Sequence, residues 1–233
     1  MDIIGSIDDE IRIIDKTIDK INKIVSFAFR FTFFNTKKPI KKASFCFMNN
    51  TFVSPIGNNV EEFVGSKKYI ATANVDGTEI NSFDSLITFN DRPSRANNCP
   101  IKYSIWFAKM KQTSKKILIL DSKEIISNYI FSTGFQGLKV NEKALCYLWA
   151  FICTKEFEEI KDKMSSGATQ QAVDMTTLER LSIPCPEDIR VLGKFNNIIL
   201  PLLKQSETIH NQKNVLSTYK KFLLPLLLNE QVI

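Results

Sequence analysis

With 233 residues, 44% hydrophobic and 24% charged, the chain has enough apolar material for one sizeable core with an appended element, which argues against a disordered protein. A formal charge of +6 and a pI near 9.0 favour an anionic partner without naming one. The most apolar runs, SFAFRFTFF and FLLPLLL, are short and broken by Arg30 and Pro225, so neither reaches the roughly 20 residues of a membrane span.

The first segment carries a regular pattern. Ile4, Ile7, Ile11, Ile14, Ile18, Ile21 and Val25 alternate spacings of three and four, a heptad seam with an apolar residue at every a and d position. Asp8, Asp9, Glu10, Arg12, Asp15, Lys16, Asp19 and Lys20 fill the other positions. At 1.5 Å per residue the seam makes a rod about 30 Å long, and so narrow a stripe wants another helix as its partner.

The middle of the chain, about 37–164, changes character. ASFCFMNNTFVSP, KKYIATANVDG, DSLITFND, IKYSIWFAKM, KKILILD and NYIFSTGF are short Phe-, Ile-, Tyr- and Val-rich runs separated by Asn, Asp, Gly and Pro, which is a strand-and-turn pattern. One helix is expected from about Asn141 to Met164, with Leu145, Leu148, Trp149, Ile152, Cys153, Phe157 and Ile160 on its inner side. Cys146 and Cys153, seven apart, are expected in the core. SSGATQQAV (165–173) follows as a turn, with Gly167 permitting the bend, and TTLE at Thr176 to Glu179 fits a capping box.

Pro184 and Pro186 stop what precedes, and Pro186, Glu187 and Asp188 read as the start of a last helix, with proline in its first turn and acids near the positive dipole end. Leu192, Phe195, Ile199, Leu202, Ile209, Leu216, Leu223 and Leu227 keep the three-four spacing, with Ser206, Lys213 and Lys220 in the missing seam positions and a bend expected at Pro201. The layout is an α+β chain: a spacer helix at 1–30, a mixed α/β globule at 31–185 and a C-terminal spacer region at 186–233. The two seams are expected to pair antiparallel, within one chain or between two copies, along Ile4, Ile7, Ile11, Ile14, Ile18 and Ile21 on one side and Leu202, Ile209, Leu216 and Leu223 on the other.

Catalytic and metal signatures are scarce. The one histidine, His210, sits on the last helix, so neither a Ser-His-Asp arrangement nor a His/Cys zinc site can be built in the globule. There is no glycine-rich nucleotide fingerprint or Walker loop, and STYK at 217–220 matches a catalytic motif by letters only. Five cysteines, an odd number without a C-x-x-C pair or a signal peptide, read as reduced thiols in a cytoplasmic protein.

Basic and amide side chains are plentiful. Arg92, Arg95, Asn97, Asn98, Lys102, Lys109, Lys111, Gln112, Lys115 and Lys116 fall within 25 positions. Lys and Arg neutralise phosphates, and Arg, Asn and Gln make bidentate contacts to base edges, so Arg92, Arg95, Asn97, Lys109, Lys111 and Gln112 are the candidate DNA contacts. Thr169 and Gln170 either cap backbone groups of their loop or touch DNA.

RPSRANNCPIKYSIWFAKMKQT (92–113), SSGATQQAVDMTTLERLSIPCP (165–186), the leading SIDDEIRIIDKTIDKI and the trailing YKKFLLPLLLNE together resemble a half-length DNA-specificity (S) subunit of a type I restriction-modification system. The resemblance implies a non-catalytic subunit, without a cofactor of its own, whose target recognition domain reads one half of a split double-stranded DNA site. It implies helices that space such domains and dock methyltransferase (M) subunits, which carry S-adenosylmethionine and methylate adenine. A motor-nuclease (R) subunit with ATP and magnesium joins through the complex. One recognition domain reads half a site, so a homodimer with helices paired between copies is the slightly favoured arrangement. The rival reading is an assembly module whose helices bind protein and whose globule does not bind DNA.

Overall fold

The computed structural model describes residues 3–34, 40–44, 52–165, 171–174, 177, 180, 182–186 and 188–228. Gly167, Thr169, Gln170 and most of the expected capping box lie outside them; within that box, Thr177 donates its amide to Asp174 Oδ1 at 2.7 Å.

Helix α1 (Ile3–Phe33) opens the chain and helix α5 (Arg190–Leu228) closes it. The seam of α1 is buried at Ile14, Ile18, Ile21 and Val25 and continues beyond the expected stripe into Phe29 and Phe33. Toward its start, Ile4, Ile7 and Ile11 are half-buried. On α5, Leu192, Phe195, Ile199 and Leu203 are buried, and Leu202, Ile209, Leu216 and Leu223 are half-buried. The lysines at interrupted seam positions face acids of α1: Lys213 lies 2.6 Å from Asp15, and Lys220 pairs with Asp8. The helices therefore run antiparallel within one chain. The arrangement favoured from sequence, pairing between copies, is not needed to cover these residues. Helix α5 continues through Pro201 and Pro225.

Between the helices lie β1 (Ile40–Ser44), β2 (Val53–Ile56), β3 (Lys67–Ile70), β4 (Val75–Asp76), β5 (Glu79–Ile80), β6 (Ser85–Ile87), β7 (Ala96–Asn98), β8 (Ser104–Ala108) and β9 (Lys116–Ile119). Next come α2 (Lys123–Asn128), β10 (Tyr129–Ser132), β11 (Phe135–Val140), α3 (Leu145–Ile152), α4 (Lys155–Met164) and β12 (Ser182–Pro186). Two four-stranded sheets result, in the orders β6-β3-β10-β7 and β2-β11-β8-β9, with β1 paired to β12 and β4 to β5. Only β10 with β3 is parallel among the described strand pairs. β10 and β11 are separated by Thr133 and Gly134 yet belong to different sheets, so this short turn stitches the sheets together.

Strand β8 shows why SIWFA reads as an unbroken apolar run. All five residues are buried, with Ile105 and Phe107 facing one core cluster and Trp106 and Ala108 the other, the period-two alternation of a strand covered on both sides. The first cluster joins that sheet to the helices. In it Phe33 meets Tyr147 of α3 at 4.8 Å and Phe195 of α5 at 5.2 Å, an aromatic joint that roots both long helices in the globule.

The single helix expected over 141–164 is a 3₁₀ turn followed by two helices. Thr154 ends the first by donating its hydroxyl to Phe151 O (2.6 Å) and starts the second by accepting from the Phe157 amide (3.1 Å). The break leaves Cys153 with exposed surface at the helix junction, while Cys146 is buried; desolvation pushes both thiols up to about 12.

Candidate nucleic-acid interface

The turn after β8 is the centre of the site. Ala108 closes it by donating its amide to Lys115 O at 2.9 Å. Residues 109–114 project beyond the sheet, carrying Lys109, Lys111 and Gln112. Segment 171–173, the described end of the SSGATQQAV stretch, adds alongside: the Lys111 amide donates to Gln171 O (2.9 Å) and the Val173 amide to Lys109 O (3.1 Å). Lys111 Nζ also donates to Gln171 Oε1 at 2.8 Å. The stretch thus returns its chain to the edge bearing the lysines.

Arg95 and Asn97 reach the same edge from β7 and the turn before it. The Thr133 amide donates to Arg95 O at 2.8 Å, the Lys109 amide donates to Gly134 O at 2.9 Å, and the Arg95 guanidinium lies over Gly134. Asn97 Nδ2 donates to Asn58 O at 3.4 Å. Beside Asn58 opens a cleft of about 430 Å³ lined by Asn58, Lys109, Gln136, Ala172, Val173 and Asp174, among others. Burial, and secondarily the neighbouring Arg95, lower the Lys109 pKa. Among the described residues neither Arg95 nor Lys109 is in an ion pair with an acid. Two like charges held near each other, neither of them in an ion pair with the Asp174 that lines the cleft, favour an anion along this edge.

Other members of the basic cluster go elsewhere. Arg92 folds back, donating to Phe89 O at 2.6 Å with its guanidinium 4.1 Å from the Phe89 ring centre. Lys102 pairs with Asp121 at 2.7 Å, and Lys115 donates to Thr72 O at 2.8 Å. Lys116 is buried in an ion pair with Glu158 at 2.6 Å. Asn98 is buried and donates to Ser132 O and Phe135 O. Gln112 is exposed, with its backbone in the left-handed region at φ 58°.

Asn58 was missed from sequence. Its signal was weak: an amide in the turn-like Gly57–Asn59 stretch, brought beside Gln136 by the pairing of β2 with β11.

His210 lies on the helix pair, its Nδ1 3.5 Å from Glu79 Oε1, next to Lys213 at 3.1 Å from Glu79 Oε2. These contacts tie the rod to the β4–β5 hairpin. No helix among the described residues is long and apolar enough to cross a membrane.

No protein-family model matches the chain, and no curated protein matches it in sequence. Solved structures do match in fold. The type I restriction-modification system S subunit from M. genitalium aligns with a TM-score of 0.55 at 12% identity, over 95% of this chain and 57% of that one. The HsdS subunit from Thermoanaerobacter tengcongensis aligns at 0.48 and 9% identity, over 96% of this chain and 54% of that one. A structure described for complex assembly and conformational transition of the type I R-M system aligns at 0.45 and 11%, over 95% and 55%. This chain therefore spans a little over half the length of the structures it matches. A sheet domain carried between two long helices, it has the fold of the corresponding 57% of a type I restriction-modification S subunit.

Proposed function

We propose that the chain is a DNA-specificity subunit of a type I restriction-modification system, with a target recognition domain at 31–185 on a rod formed by 1–30 and 186–233. The observation that carries this reading is the fold likeness to an S subunit over 95% of the chain. The edge formed by Arg95, Asn97, Lys109 and Lys111 supplies the chemistry: cations for phosphates and an amide for base edges. Gln112, exposed at the tip of the turn, and Thr169 and Gln170, in the stretch that leads to Gln171, complete the contact set.

The chain is non-catalytic and holds no cofactor of its own; it positions partner methyltransferase subunits for adenine methylation in the cytoplasm, and the motor-nuclease subunit joins through that complex. The outer side of α1 is the docking face for the methyltransferase. There Phe27 and Phe31 stack at 6.2 Å while 70% and 64% exposed, aromatic surface that a partner would cover.

Duplex binding across a salt series, in the presence of the methyltransferase, tests the reading. Affinity falling steeply with salt is the expected result. Methyltransferase binding with no duplex affinity at any salt would leave the assembly-module reading in its place.

A further inference from the structure

Beneath the 109–114 turn lies a buried lysine. Lys161 of α4 is 2% exposed. Its ammonium has three donors and meets three acceptors: Glu158 Oε2 at 2.7 Å, Ala108 O at 3.3 Å and Thr113 O at 2.5 Å. The last two are main-chain carbonyls at the two ends of the turn. Glu158 also holds Lys116, the first residue of β9, and the residue after Lys161 on α4, Asp162, accepts the Gln112 amide at 3.0 Å. Four residues of the turn region are thus gripped from one face of one helix, while segment 171–173 holds the other side. A buried ammonium is costly unless fully paired, and here each of its donors is used on the turn or on Glu158.

We propose that Lys161 is the positioning residue of the DNA-reading edge: by fixing Ala108 O and Thr113 O it sets where Lys109 and Lys111 stand relative to Arg95. The inference rests on the DNA-specificity reading above. Lys161 does not touch DNA; it acts through the turn.

The test uses the full chain with a mixed-sequence duplex at low salt, well below the melting temperature. Lys161→Met, which keeps the stem and removes the charge, is expected to weaken binding roughly tenfold. It is expected to speed amide hydrogen exchange at Lys111 and Gln112. In that background Lys109→Ala with Lys111→Ala should cause little further loss, because mispositioned lysines have little left to lose. A lysine that merely stabilised the fold would leave the two effects additive. Asp162→Ala removes only the Gln112 acceptor and carries the same test should Lys161→Met fail to fold, with a smaller loss expected. Wild-type affinity in both variants, or additive losses, would overturn the proposal. If the wild-type chain binds no duplex, the specificity reading fails, while amide exchange at Lys111 and Gln112 still reports separately whether Lys161 fixes the turn.

Discussion

Lys213 of the C-terminal helix stands 2.6 Å from Asp15 of the N-terminal helix and 3.1 Å from Glu79 of the globule, so one ammonium joins all three parts of the molecule. Lys220 meets Asp8 one heptad farther from the globule, which fixes the antiparallel register. Lysines at seam positions set register at some expense of apolar contact. Lys213→Ala is expected to lower stability by about 1 kcal/mol, since the pair is partly screened by solvent. Denaturant midpoints for Lys213→Ala, Asp15→Ala and the double variant should show coupling; strictly additive losses would mean the contact contributes nothing.

The same junction has a pH signature. The Glu79 carboxyl is held down to about 2 from 4.5, chiefly by the hydrogen bond from His210 and then by Lys213, against the opposing effect of burial. A depressed carboxyl contributes its stability in full above its unfolded value. That contribution is lost as pH falls from about 4.5 toward about 2. Unfolding midpoints of the wild type should therefore drop across this window more than those of Glu79→Gln. Parallel curves for the two proteins would refute the assignment.

Because the seam closes within one chain, it gives two copies no drive to associate. Light scattering across a dilution series is expected to return the mass of a single chain. Changing Ile14 and Ile18, both buried, to Asp should unfold or aggregate the protein. A well-folded double-Asp variant would end the helix-pair account, and a mass that rises with concentration would show helices exchanging between copies.

Arginines three positions apart should behave differently. Arg95→Ala, like Lys109→Ala, is expected to weaken duplex binding and reduce the salt slope by about one for each phosphate contact removed. Arg92→Ala should instead act through its packing on Phe89, lowering the melting temperature with little change in salt slope. Equal salt slopes for the Arg92 and Arg95 variants would contradict this division.

Gly137 leaves no room for a side chain. A Cβ built there would stand 2.5 Å from the ring of Trp106, which is fully buried. Gly137→Ala is expected to cost about 3 kcal/mol, read as a large fall in melting temperature, because neither the strand nor the indole can retreat. A change under about 1 kcal/mol would mean that the sheet gives way more easily than its packing implies.

The helix pair was legible because its signal is periodic: Ile14, Ile18 and Ile21 repeat at the spacing of the surface they bury. Strand β8 was legible as a strand, but not which side each residue faced, since both sides are apolar. The break at Thr154 was hidden because its cap is a single hydroxyl inside an otherwise continuous apolar pattern. Within the basic cluster, sequence showed which residues carry charge but not which charges are used up inside. Lys116 looks like Lys115 until Glu158, 42 positions away, folds against it.

Lys161 grips main-chain oxygens of Ala108 and Thr113 and none of the side chains between them. Carbonyls are common to every amino acid, so substitutions at 109–112 leave the grip intact. A lineage could rewrite Lys109, Met110, Lys111 and Gln112 one at a time, or replace the stretch wholesale, without rebuilding the support beneath it. If this edge reads DNA as proposed, novelty in the word that is read is thereby separated from the frame that holds the reader.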